Sequence, residues 1–83
     1  MGKVMLTRDQ RIDLQMDALI AKYQILRGTT AETLAKKLGI SVATWRRKRK
    51  RCSELTLLQL LRLEAALNIP RAELSEAVGG ILQ

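Results

Sequence analysis

The sequence has no histidine and no phenylalanine, one cysteine, one proline, and only one tryptophan and one tyrosine. Each scarcity excludes something. A lone thiol, Cys52, cannot form an intramolecular disulfide, and with no histidine beside it a zinc site cannot be completed, so no metal and no cofactor are expected. No apolar run approaches the roughly 18 residues of a membrane span. The apolar residues near the start are interrupted by Arg8, Asp9 and Arg11, so no signal peptide is expected, and a reducing cytoplasm is the simplest compartment. With so few aromatics the core must be built from Leu, Ile, Val, Met and Ala, a composition that favours helices over strands.

What the chain has in excess is positive charge, and the excess is local. Fifteen Lys and Arg against eight Asp and Glu give a net charge of +7. Six of the fifteen are consecutive: Arg46, Arg47, Lys48, Arg49, Lys50 and Arg51. By segment the charge is +3 over residues 1–40, +6 over 41–51 and −2 over 52–83, an asymmetry that points to a polyanion bound at one face. Eighty-three residues, 47% of them hydrophobic, make one small domain with one core.

Punctuation and periodicity divide the chain into about five helices. Residues 1–6 read as a short arm carrying Val4, Met5 and Leu6. Thr7-Arg8-Asp9-Gln10 has the form of a capping box and Gly28 supplies a stop, so a long helix is expected over about 7–27. Its core stripe reads Ile12, Met16, Leu19, Tyr23 and Leu26. A second stripe, Leu14, Ala18, Ala21 and Ile25, lies opposite; it is partly exposed or covered by the chain's own termini, or else a subunit contact. Thr30, or Thr29 paired with Glu32, caps the next helix, which turns Leu34, Ala35 and Leu38 inward and stops at Gly39. Ser41 caps a third helix with Trp45 inward, so a helix-turn-helix is expected over about 30–51. A loop is expected over 51–53. Thr56 or Ser53 then caps a leucine-rich helix, about 54–67, with Leu57, Leu60, Leu63 and Leu67 as core positions and Leu58, Leu61 and Ala65 as an extra apolar face. Asn68 and Pro70 close it, and a last helix over about 70–78 precedes a short apolar tail, 79–83.

Residues 30–74 resemble the DNA-binding domain of the lambda-repressor and Cro class, also called XRE-type. The resemblance rests on Thr30 at the cap, Leu34 and Ala35 in the first helix, and Leu38-Gly39-Ile40-Ser41 at the turn. It continues with Thr44-Trp45, then with a leucine-rich helix ending in Ala66, Leu67 and Ile69. It implies an all-α bundle in which Ala35 is small because the recognition helix crosses over it, and Gly39 turns the chain between helices at roughly 90 to 120°. The chain departs from the pattern at Thr29, at Lys48 and Arg51, where an apolar residue and a glycine are common, and at Glu64, where a small core residue is common. Lys48 is expected to lay its stem along Trp45.

The same resemblance implies a major-groove recognition helix over 41–51, with Val42, Ala43, Arg46 and Arg47 at base edges. Thr30, Lys36, Lys37, Arg49, Lys50 and Arg51 are then expected at phosphates, and Thr44 at the backbone or a base edge. If six phosphates were neutralised, log affinity would fall against log salt with a slope of about −5. The function implied is sequence-specific double-stranded DNA binding by a phage or bacterial repressor or regulator, nucleoid-associated, acting as a homodimer on a palindromic operator. The alternative is an interaction module, antirepressor- or antitoxin-like, whose basic block binds an acidic protein. No enzyme is expected: Asp9, Asp13 and Asp17 share one helix face, but no nucleophile or histidine converges on them. Cys52 reads as a loop thiol without function, and Trp45 as core.

Overall fold

The computed structural model describes residues 6–79. The expected arm residues Val4 and Met5 and the tail residues 80–83 lie outside the described residues. What is described is a compact, all-helical globule with no strand among the described residues. Its elements are α1 (Arg8–Arg27), α2 (Ala31–Leu38), α3 (Val42–Arg49), a one-turn 3-10 segment (Cys52–Glu54), α4 (Leu57–Leu67) and α5 (Arg71–Ala77). No helix among them is long and apolar enough to cross a membrane.

Local hydrogen bonding explains where each helix begins and stops. The Thr7 hydroxyl accepts from the Gln10 amide at 3.1 Å while the Gln10 side chain accepts from the Thr7 amide at 2.9 Å, closing a capping box. Thr56 and Gln59 form a second such box at the start of α4, so Thr56 rather than Ser53 is the cap. Thr30 caps α2 by accepting from the Thr33 amide at 3.2 Å, which decides it against a Thr29–Glu32 pairing. Gly39 ends α2 at φ 74°, a left-handed conformation that costs a side-chain-bearing residue strain. Beyond α3, the segment expected as a loop over 51–53 instead winds into the 3-10 turn, with the Leu55 amide donating to the Cys52 carbonyl at 3.0 Å.

One core joins all five helices: Met16, Ile20 and Tyr23 from α1, Leu34, Ala35 and Leu38 from α2, Trp45 from α3, Leu63 and Leu67 from α4, and Leu74 from α5. Of the expected core residues, Ile12, Leu19 and Leu60 are partly buried against it and two lie outside it. Leu26 is 62% exposed and Leu57 59% exposed, whereas Ile20, absent from the expected stripe, is fully buried. The reason is helical phase: a step of three residues falls about 60° short of a turn, so a stripe extended from Tyr23 to Leu26, or back from Leu60 to Leu57, slides off the buried face. The second stripe of α1 is open among the described residues, with Leu14 59% and Ile25 82% exposed. Leu58 and Ala65 of α4 are likewise exposed, with Leu61 half-buried.

Polar contacts lock α5 and α4 in place. The Tyr23 hydroxyl donates to the Glu73 carboxylate, which Lys22 also approaches at 3.3 Å. Arg27 donates to the Leu67 and Asn68 carbonyls at 3.0 and 2.9 Å, a cation at the carboxyl end of α4. Glu64 is held by the Arg71 guanidinium, one of whose amino groups donates at 2.8 Å. That pairing holds the Glu64 carboxyl below the usual carboxylate range.

Candidate nucleic-acid interface

α3 is short, and its two sides differ sharply. Ser41 starts it by accepting from the Thr44 amide at 3.1 Å, and the fully buried Trp45 anchors its inner side. Val42, Lys48 and Arg49 flank Trp45 and are half-buried. Lys48 is half-buried, one turn beyond Trp45 in sequence. Ala43, Arg46, Arg47 and Lys50 are all exposed. Their spacing of three, four and seven residues puts them on a single outward face. The expected helix 41–51 is therefore shorter at both ends. Ser41 is the cap, Lys50 the carboxyl-terminal cap, and Arg51 has left the helix at φ −133° and ψ 58°.

The residues expected at base edges are thus divided. Ala43, Arg46 and Arg47 share the outward face, while Val42 packs against the core edge. Lys50, expected at a phosphate, is exposed on that same outward face. Among the other residues expected at phosphates, Thr30 has its hydroxyl committed to the start of α2, where it also donates to the Thr33 hydroxyl at 3.1 Å. Thr44 is half-buried and accepts from the Ser41 hydroxyl at 2.8 Å. Lys36 is exposed one turn beyond Glu32, on the side of α2 that meets Arg46. Lys37 is exposed but borders a shallow depression with Arg62 and Ala66, on the α4 side.

Three of the four arginines of the basic run, Arg46, Arg49 and Arg51, carry carboxylate partners that sequence reasoning did not assign. Arg46 reaches Glu32 of α2 at 3.4 Å. Arg49 reaches Asp17 of α1 at 3.3 Å. Arg51 reaches Glu54 at 3.1 Å and Asp13 of α1 at 3.9 Å. Asp13 is the most enclosed of these acids: its side chain is 18% exposed, and its other oxygen accepts from the Ser53 amide at 2.7 Å. The signal was present as the shared face of Asp13 and Asp17, but its partners lie more than thirty residues along the chain. Among the described residues, Arg47, Lys48 and Lys50 have no carboxylate within ion-pair distance.

Cys52 sits beneath this junction, buried, with its thiol donating to the Arg49 carbonyl at 3.2 Å. Burial pushes the thiol up to about 12, and the nearby Asp13 carboxylate pushes the same way. A thiol so held is a packing group and a poor nucleophile. No group of three or more His, Cys, Asp or Glu among the described residues is placed to hold a metal ion. The interface is therefore an electrostatic one: an exposed cationic face on α3, with Lys36 beside it and the carboxylates of Glu32 and Asp17 at its edges. Compared with protein-family models, with curated proteins and with solved structures, the chain matches none.

Proposed function

We propose that the protein is a sequence-specific double-stranded DNA-binding protein of the helix-turn-helix type, a repressor or regulator of transcription in a phage-infected or bacterial cytoplasm. In this reading α2, the turn at Gly39 and α3 form the motif, and α3 enters the major groove. The observation that carries it is the one-sided build of α3: Trp45 is sunk in the core, while Ala43, Arg46, Arg47 and Lys50 stand exposed on the opposite face. Arg46 and Arg47 have the reach and fork geometry to take guanine O6 and N7, and Ala43 fits against a thymine methyl. Lys36 and Lys50 take phosphates, from either side of the helix. One short helix reads few base pairs, so the protein acts as a homodimer on a palindromic site.

Titrating salt against a labelled duplex tests the electrostatic half of this reading. With Lys36 and Lys50 at phosphates, two contacts per subunit make four per dimer and give a slope of log affinity on log salt of about −4. Six contacts would give about −5. A slope near zero, or no duplex bound at micromolar protein, would contradict DNA binding.

A second reading draws on a different observation. Arg46, Arg49 and Arg51 all engage carboxylates within the chain, so the run is already a carboxylate-binding surface. That favours an interaction module for an acidic protein. Tight co-purification with an acidic partner, in the absence of any duplex binding, would select it.

A further inference from the structure

Of the basic run, Arg49 and Arg51 are the two residues that α1 captures, and both lie at the end of α3 where phosphates were expected. Arg49 is the more deeply held. Its side chain is 29% exposed, and its Nη2 lies 3.3 Å from an Asp17 carboxylate oxygen and 3.5 Å from the Asp17 carbonyl. Asp17 itself stays open, with a side chain 63% exposed. It shares a shallow depression with Arg46, Arg49 and Lys50 at the margin of the cationic face. A phosphate approaching Arg49 therefore meets a carboxylate first, and must either displace it or accept the repulsion. Arg51 is held in the same way by two acids, Asp13 and Glu54.

Asp13 and Asp17 differ in what else they do. The Asp13 carboxylate is half-enclosed and also fixes the Ser53 amide at 2.7 Å, so it is part of the joint between α1 and the 3-10 turn. The Asp17 side chain makes no ion pair or hydrogen bond besides the one to Arg49, among the described residues. The fold does not need Asp17 as it needs Asp13.

We propose that Asp17 is an intramolecular competitor for phosphate: it occupies Arg49, lowers the sequence-independent part of DNA affinity, and leaves available the base-facing Arg47, which has no carboxylate partner among the described residues. This rests on the DNA-binding reading above. Counterion release by phosphate-neutralising cations supplies essentially all non-specific affinity, so each captured arginine removes close to one unit of salt slope. The consequence is a protein that binds DNA of arbitrary sequence more weakly than its count of cations implies.

The test is fluorescence anisotropy with a labelled duplex of mixed sequence, titrated across salt, for the full chain and for Asp17→Asn. Asp17→Asn is expected, for each bound subunit, to tighten binding about fivefold to tenfold near 0.1 M salt and to steepen the slope by about one. Adding Arg49→Gln to Asp17→Asn is expected to remove both gains. Asp9→Asn controls for charge alone, because Asp9 lies on α1 beside Arg8 and holds no member of the basic run; its slope should stay at the wild-type value. An unchanged slope in Asp17→Asn, or a gain that survives Arg49→Gln, would overturn the proposal while leaving DNA binding in place. If neither the wild type nor Asp17→Asn binds any duplex, the DNA-binding reading fails and the competitor role falls with it.

Discussion

At the scale of single residues, the titrating groups make the sharpest statements. The fold prefers the Cys52 thiol protonated, since burial and the Asp13 carboxylate both oppose the thiolate. Its contribution to stability is therefore full below the unfolded thiol range, near about 8.5, and declines as pH climbs toward about 12. At about pH 8 the native thiol should be alkylated by iodoacetamide roughly a thousandfold more slowly than the unfolded one, following the thiolate fraction, as mass spectrometry of timed samples will show. Glu73 behaves in the opposite sense. Hydrogen bonds from Tyr23 and then Lys22 hold its carboxyl below the usual range. Its stabilising contribution is present above the unfolded carboxylate value of about 4.3 and is lost as pH falls below it. Glu73→Gln should thus lower the urea midpoint at neutral pH, and the gap from wild type should shrink in acid. A gap as large in acid as at neutral pH would contradict the Tyr23–Glu73 assignment.

At the scale of elements, the turn between α2 and α3 is the most constrained joint. Gly39 sits at φ 74°, and a β-carbon there would meet only the Arg62 guanidinium at an ordinary 3.6 Å, so the cost of a side chain is conformational. Gly39→Ala should destabilise by about 1 to 2 kcal/mol in urea unfolding. Ala35, 2% exposed in the core, has no such freedom of space. Ala35→Leu should overpack the junction and cost about 1 to 3 kcal/mol. A fully stable variant at either position would contradict this joint as described. Much of this level is legible in sequence because it is local: Thr7 with Gln10, Thr30, Ser41 and Gly39 are read within a few residues of where they act. The apolar stripes were legible at their centres, Met16, Tyr23, Leu63 and Leu67. They failed at their ends, where phase drift left Leu26 and Leu57 in solvent. The 3-10 turn at Cys52–Glu54 was not legible, because it is held by Asp13, some forty residues away.

At the scale of the whole molecule, electrostatics divides what composition presents as one block. The six consecutive cations look uniform in sequence, and their split into an exposed face and an α1-bound end depends on long-range pairing that no local pattern encodes. Arg47 and Lys50 reach solvent with no carboxylate partner among the described residues, Arg46 pairs with Glu32 of α2, and Arg49 and the still exposed Arg51 pair with Asp17 and Asp13 of α1. The roles expected of Arg47 and Lys50 separate cleanly in experiment: Arg47→Ala should change which sequence is preferred, whereas Lys50→Ala should weaken all sequences alike and flatten the salt slope by about one per subunit. The measurement that bears most directly on the whole account is selection of duplexes from a random library at physiological salt, with the wild type and with Arg47→Ala. The account predicts that the wild type enriches a short motif repeated about a dyad, and that Arg47→Ala alters a guanine position within each half. Enrichment of no motif, or the same motif in both selections, would contradict base reading by the outward face of α3.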